Sequence, residues 1–380
     1  MIFNILFAFL LATLTNGLLV TISNKDPRRD VNGDIIDCHS GMILAVNGVY
    51  YMYGEVYHNN TGFGPSPPVM FPKIAVYTSP DMVSWTPRGE AISDWPTKPY
   101  GTFFTPFAIY NKPTQTFVLY FNAYLNGCCE GNWGIATSTD GIHFTLQTTN
   151  AVGKYSVVDC NALMVDDDGT AYLAYTSEAE DHKVSIEQLS SNFSSIVPGE
   201  NKGLFPDRYI EGAILFKRGT TYYVRYGSCC CFCRGGSGAV VYKSQSINGP
   251  WVRQALDVNC NRTDAGSICG AYGDRNNDPI IIQAQGIGVS IIPLADRTTA
   301  ILWHGERWLS AANNNPTCPD ECQPQVAPKC AEEPGYIKGE GYSYWIPLEF
   351  DNDGNVQKFA PFVDSFTLDV AVNFGVDHLN

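Results

Sequence analysis

One unit recurs along this chain: two apolar strands joined by a tight turn, then a further strand that runs into a Ser/Asp/Gly turn and an aromatic residue. It first appears as Met42–Val46, an Asn47-Gly48 turn and Val49–Tyr53, followed by Ile74–Thr78 and the stretch Ser79-Pro80-Asp81 up to Trp85. Asn-Gly between alternating apolar runs specifies a hairpin, because the favoured two-residue turn needs positive φ at both central positions. The unit returns as Phe107–Tyr110 with Phe117–Asn122, then Gly134–Thr137 and Ser138-Thr139-Asp140 up to Phe144. A third copy is Leu163–Val165 with Ala171–Thr176 and a strand around His182–Leu189. Ala213–Phe216 with Thr221–Tyr226 is the fourth, continued by Ala239–Ser244 and closed at Trp251. Gly286–Pro293 with Ala300–His304 is the fifth. No helical stripe interrupts the series. A small sheet cannot bury both of its faces alone, and radial stacking of such sheets does so. The predicted fold is therefore all-β, a five-bladed β-propeller. A β-sandwich or jelly roll is the rival, and it leaves the recurrent strand–Ser-x-Asp–aromatic unit unexplained. Ser343–Leu348 and Val356–Phe359 are the segments expected to close the ring, while residues 18–36 read as polar and turn-like. Every unit feeds one ring, so a single domain over residues 18–380 is expected.

The formal charge of −14 argues against a nucleic-acid partner and against an anionic membrane surface. Residues 1–17 read as a signal peptide: an apolar stretch, Ile5–Leu14, precedes small residues at Thr15-Asn16-Gly17 and is too short to span a membrane. A secreted, extracellular monomer is expected. The 13 cysteines are then mostly disulfides, and their odd number leaves at least one thiol unpaired or paired between chains. The cluster Cys229-Cys230-Cys231-Phe232-Cys233 lacks zinc-ligand spacing, so no metal site is read there. Asn59, Asn192 and Asn261 head Asn-x-Ser/Thr triplets and are candidate glycosylation sites.

Two acids stand where chemistry could sit. Asp159 precedes the third hairpin and Glu211 the fourth. Carboxylates presented from successive hairpins suit glycoside hydrolysis, which needs one acid for the departing oxygen and a second group for water or the sugar. The blander reading is a turn cap for Asp159 and loop surface for Glu211. Asp166, Asp167 and Asp168 read as turn formers. Asp37 and His39 precede the first hairpin in the same way, and Glu55 ends its second strand beside Tyr53. Trp133, Trp303 and Trp308 could stack on sugars, although a Trp is more often core.

The whole pattern resembles glycoside hydrolase family 43, a family of five-bladed propellers, and within it the exo-β-1,3-galactanase-like subfamily 24. The resemblance is carried by Asp37-Cys38-His39-Ser40-Gly41 with Tyr50-Tyr51-Met52-Tyr53-Gly54-Glu55, by Asp159 with Asp166-Asp167-Asp168-Gly169-Thr170-Ala171-Tyr172, by Glu211-Gly212-Ala213 with Phe216-Lys217 and Tyr222-Tyr223, and by Gly305-Glu306-Arg307-Trp308. It implies that Glu211 is the general acid and that Asp159 keeps that acid protonated and oriented. It implies that Glu55 binds the terminal sugar, with His39, Tyr53 and Trp308 around it. His39 stands where the family's usual base, an aspartate, would be. In the subfamily a glutamine positions the attacking water instead, which points to Gln285, with Gln283 and Asp37 as alternatives. The implied reaction is exo-cleavage with inversion of an oligo- or polysaccharide, with galactan or arabinogalactan side chains the expected substrate. No cofactor is required, and a structural calcium in the ring axis is the one ion the resemblance allows. Phe104-Thr105-Pro106-Phe107 departs from the subfamily pattern, which has an acidic sugar contact and a basic residue there. That departure keeps open an arabinofuranosidase, xylosidase or sucrose-type furanosidase, and a carbohydrate-binding propeller without turnover.

Overall fold

A computed structural model describes residues 16–57, 73–93, 102–124, 131–228, 235–263, 268–270, 279–308, 310 and 341–375. Most of the expected leader, the Asn59 triplet and the Cys318–Cys330 insert lie outside these residues. Among them, nearly all regular structure is antiparallel sheet, taken up in chain order. The first blade is β2 (His39–Val46), β3 (Val49–Glu55), β4 (Ile74–Ser79) and β5 (Thr86–Glu90). The second is β6 (Thr102–Asn111), β7 (Thr116–Tyr124), β8 (Asn132–Ser138) and β9 (Thr145–Ala151). The third is β10 (Val158–Val165), β11 (Ala171–Ser177) and β12 (Lys183–Gln188), and the fourth is β13 (Ile210–Arg218), β14 (Thr221–Ser228), β15 (Val240–Ser244) and β16 (Val252–Arg253). The fifth is β17 (Gln285–Pro293), β18 (Thr299–Arg307) and β19 (Tyr342–Pro347). The five-bladed β-propeller expected from the repeat is the observed fold.

Packing explains why five sheets hold together. The apolar side chains form five clusters, and each lies mainly between two neighbouring blades. Phe103, Phe121 and Phe144 of the second blade meet Tyr53, Ile74 and Val76 of the first. Trp303 of the fifth meets Ile214 and Phe216 of the fourth. Trp133 and Trp303 are fully buried in these interfaces and stack on no sugar. The same holds for Tyr53, a correction to its expected substrate role. Its hydroxyl donates to the Gly141 carbonyl of the second blade at 2.7 Å, and its ring meets Phe144 edge-on. Asp166 also joins two blades, accepting from Lys217 and the Tyr222 hydroxyl of the fourth.

The recurrent Ser-x-Asp turns connect the third strand of a blade to its fourth. In the second blade the Asp140 carboxylate accepts from the Ile142 and His143 amides, both at 2.8 Å, while the Ser138 hydroxyl donates to it. Asp81 does the same for Val83 and Ser84 in the first. These local bonds satisfy backbone donors that the reversal takes out of the sheet.

Two differences from the sequence-based expectation concern the ring's closure. Residues 18–36 are not all turn: β1 (Asn16–Ser23) pairs antiparallel with β20 (Ser365–Val372) over eight residues. That strand also takes in the last two residues of the expected leader. Val20 and Ile22 of β1 face the core between exposed Leu19, Thr21 and Ser23, and the apolar run Leu18–Val20 hides that alternation in the sequence. Val356–Phe359 contributes only a single bridge, Val356 with Phe350.

Candidate active site

The innermost strand of every blade carries the same irregularity near its start. The register slips between His39 and Met42 in β2, Phe104 and Phe107 in β6, Asp159 and Ala162 in β10, Glu211 and Ile214 in β13, and Gly286 and Gly288 in β17. A bulge inserts an unpaired residue and re-aims the side chain beside it. Ser40, Thr105 and Gly212, each following the residue before the slip, have φ of 51°, 45° and 69°. Inner strands of successive blades run the same way, so these starts share one face of the ring. His39, Phe104, Asp159 and Glu211 are thus counterparts, and Gln285, one residue before Gly286 at the slip in β17, completes the set: it stands opposite Glu306 as His39 stands opposite Glu55.

Two of these counterparts, Glu211 and Gln285, meet directly in the structure. Gln285 Nε2 donates to Glu211 Oε2 at 3.0 Å. Trp308 Nε1 donates to Gln285 Oε1 at 2.8 Å, which fixes the amide's orientation with its NH2 toward Glu211. Gln285 is buried, while Gln283 is exposed. His182 Nδ1 lies 3.9 Å from Glu211 Oε1 on the other side. Asp159, in the adjacent blade, is also buried. Glu178 has its carboxyl raised above the ordinary range by burial and by the charge of Asp159. The Tyr124 hydroxyl donates to Glu178 at 3.2 Å and packs edge-on against the half-buried Phe104 ring. Gly212 explains its own identity: a Cβ there would overlap the Gly286 carbonyl oxygen of the next blade, and its φ is left-handed.

His39 occupies a different setting. Its Nε2 is 3.2 Å from Asp37 Oδ1 and its Nδ1 is 3.5 Å from Glu306 Oε2. Burial alone would lower its pKa, but bonding to these two carboxylates outweighs burial and pushes it up to about 10. Glu306 in turn accepts from the Ser40 amide at 2.9 Å and the Ser343 hydroxyl at 2.7 Å. These bonds and the imidazolium hold its carboxyl below the ordinary range despite burial, which acts to raise it. His39 also packs on Tyr57 at 5.1 Å, and Tyr57 meets Trp308 edge-on at 6.3 Å. Asp37 accepts from the Tyr57 amide at 2.9 Å. Glu55 is buried opposite His39 in register.

Sequence reasoning did not single out His182, Glu178, Tyr57 or the clamping role of Glu306. No motif marks the first three, because their positions follow from loop geometry. Glu306 was visible only as part of Gly305-Glu306-Arg307-Trp308. Of the cysteines, Cys260 and Cys269 form a disulfide, and Cys38 is a buried free thiol among the described residues. Asn192 and Asn261 are exposed. No group of three or more His, Cys, Asp or Glu that could hold a metal occurs among the described residues.

A sequence profile of glycosyl hydrolases family 43 matches residues 38–268. No curated protein sequence matches the chain. Among solved structures, an exo-β-1,3-galactanase from Clostridium thermocellum superposes with a TM-score of 0.70 at 20% identity, covering 93% of this chain and 68% of that one. A family 43 β-1,3-galactosidase solved with galactodeoxynojirimycin gives 0.66 at 20% identity, covering 90% of this chain and all of the other (100%). An exo-β-1,3-galactanase from Phanerochaete chrysosporium, solved with galactose, gives 0.65 at 19% identity, covering 92% and 69%.

Proposed function

Because the chain belongs to glycosyl hydrolases family 43, a family of glycoside hydrolases, we propose that it is a secreted, exo-acting, inverting enzyme that releases a terminal galactose from β-1,3-galactan or arabinogalactan side chains. The observation that carries the reading is the meeting of Glu211 with Gln285, in a blade adjacent to that of Asp159. Glu211 is the acid that protonates the glycosidic oxygen. Asp159 favours its protonated form, since two neighbouring carboxylates do not readily ionise together. Gln285 holds the water, its amide fixed from behind by Trp308. The direct bond between Gln285 and Glu211 leaves no room for a sugar and a water between them. Inversion requires roughly 6.5–9.5 Å between acid and base. Substrate binding therefore parts the pair, and the terminal sugar takes the place of that bond. Gln285 is preferred to Asp37 for this task because Asp37 is committed to His39 and the Tyr57 amide. Glu55 contacts the terminal sugar from the first blade. Secretion fits the Cys260–Cys269 disulfide and the apolar leader. The galactanases among the similar structures support galactose as the sugar.

One observation favours a second reading. Phe104 takes the second blade's place in the ring of counterparts and presents an apolar ring there. A pentose, lacking the exocyclic hydroxymethyl group, asks for one polar contact fewer than galactose. An arabinofuranosidase or xylosidase on the same scaffold follows from that. The deciding experiment is product release from β-1,3-galactan, arabinogalactan protein, arabinan and xylan, with Glu211→Gln as control. Galactose released by the wild type and lost in the control supports the first reading, and arabinose or xylose supports the second. Glycan binding without release from any substrate overturns both in favour of a binding propeller.

A further inference from the structure

Beside the acid stands a pair of rings to which the reaction above gives no part. The rings of His182 and Tyr209 are neighbours, with centroids 6.2 Å apart and planes 31° from parallel. Tyr209 is 49% exposed, a large exposure for an aromatic side chain. Asp181, His182 and Tyr209 have φ of 57°, 51° and 53°, a left-handed conformation that costs a non-glycine residue energy. Two backbone bonds brace the strained segments against each other: Tyr209 N–H to the Asp181 carbonyl at 2.9 Å, and Ile210 N–H to the His182 carbonyl at 3.1 Å. Outside them, Arg208 pairs with Asp181 at 3.3 Å. Strain maintained in this way gathers where a side chain must be aimed.

We infer that His182 and Tyr209 form the platform for the leaving-group sugar, a subsite for a pyranose unit presenting its C–H face. The inference rests on the hydrolase reading and adds direction to it. Glu211 meets Gln285 through Oε2 and faces His182 through Oε1. With Gln285 on the side of the attacking water, the leaving group departs away from Gln285, past Glu211 and toward His182. The sugar attached to the departing oxygen then extends over the imidazole and the exposed phenol ring. A broad aromatic face with a polar edge is the surface that accepts a sugar's apolar side while its hydroxyls stay in water.

The test compares two substrates of whichever terminal sugar the panel releases: its β-linked trisaccharide, and its glycosyl fluoride, which has no leaving-group sugar. Tyr209→Ala is expected to lower kcat/KM on the trisaccharide about tenfold and to leave the fluoride unchanged. Tyr209→Phe, which keeps the ring, is expected to retain both activities. Equal loss on both substrates, or loss on neither, would overturn the platform while leaving the hydrolase intact. A wild type inactive on both overturns the hydrolase reading and the platform with it.

Discussion

The inner strands of the second and fourth blades begin on one backbone and differ in chemistry. Both slip register after the residue that faces the ring, and both follow it with left-handed backbone, at Thr105 and at Gly212. The fourth blade sets a carboxylate there, Glu211, in contact with Gln285. The second sets Phe104, packed against Tyr124. Its following Thr105 turns inward, its hydroxyl donating to Asn122 Oδ1 at 2.7 Å while its carbonyl accepts from Asn161 at 2.9 Å. The bulge is thus a device of the scaffold, kept whether or not the side chain it aims is reactive. Reaction and sugar choice can vary blade by blade without disturbing the ring.

Substitutions at these strand starts test that separation. Glu211→Gln should give the largest effect, a loss of turnover of about 10²–10⁴-fold, with a melting temperature close to the wild type's. An equal loss from Phe104→Ala would show that the second blade takes part in the chemistry after all. Gly212→Ala attacks the backbone beneath the acid. A methyl group at left-handed φ against the Gly286 carbonyl should destabilise the protein by about 1–3 kcal/mol, visible as a lowered melting temperature, and should displace Glu211 enough to reduce kcat. The first-blade counterpart offers a pH test. The pKa of His39 is raised to about 10 in the folded protein against an ordinary 6.5. Between those values the folded state holds a proton the unfolded chain does not. Its contribution is complete below the ordinary value and is lost as pH rises through about 10. Denaturant unfolding of the wild type and His39→Gln across that window should show the difference between them shrinking with pH, and a constant difference would refute the clamped imidazolium. The smallest effect is expected of Phe104→Ala: a severalfold change in KM with kcat within about threefold, since truncating an apolar contact removes ground-state binding.

The hairpins were legible because their alternation and turns are local, and Asn47-Gly48 alone fixes the register of β2 against β3. Glu211 and Asp159 could be chosen because each reads as an acid at the start of a hairpin, and Gln285 only through the family resemblance. Their meeting could not be read, since Gln285 reaches Glu211 across 74 residues and Trp308 reaches Gln285 only once β17 and β18 are paired. Tyr53 misled for a related reason. Along a strand it lies on the same side as Glu55, yet two residues further from the ring's face that side meets the neighbouring blade, at Gly141 and Phe144. β1 was invisible because its partner lies at the opposite end of the chain.

That last pairing sets the order in which the molecule can be completed. Asn24 bonds to the Trp345 backbone in both directions, 321 residues away, and the Tyr50 hydroxyl donates to the Ala371 carbonyl at 2.7 Å. A chain emerging from its N-terminus has nothing for β1 to pair with until β20 is made. Its blades can form one after another, and the fifth can meet the first directly, but the β1–β20 sheet that covers their seam is missing until β20 is made. Quality control during synthesis would therefore meet a ring with an uncovered seam, whose exposed sheet edge, and whose cluster of Val20, Ile22, Trp345 and Val370, are covered together in a single late step.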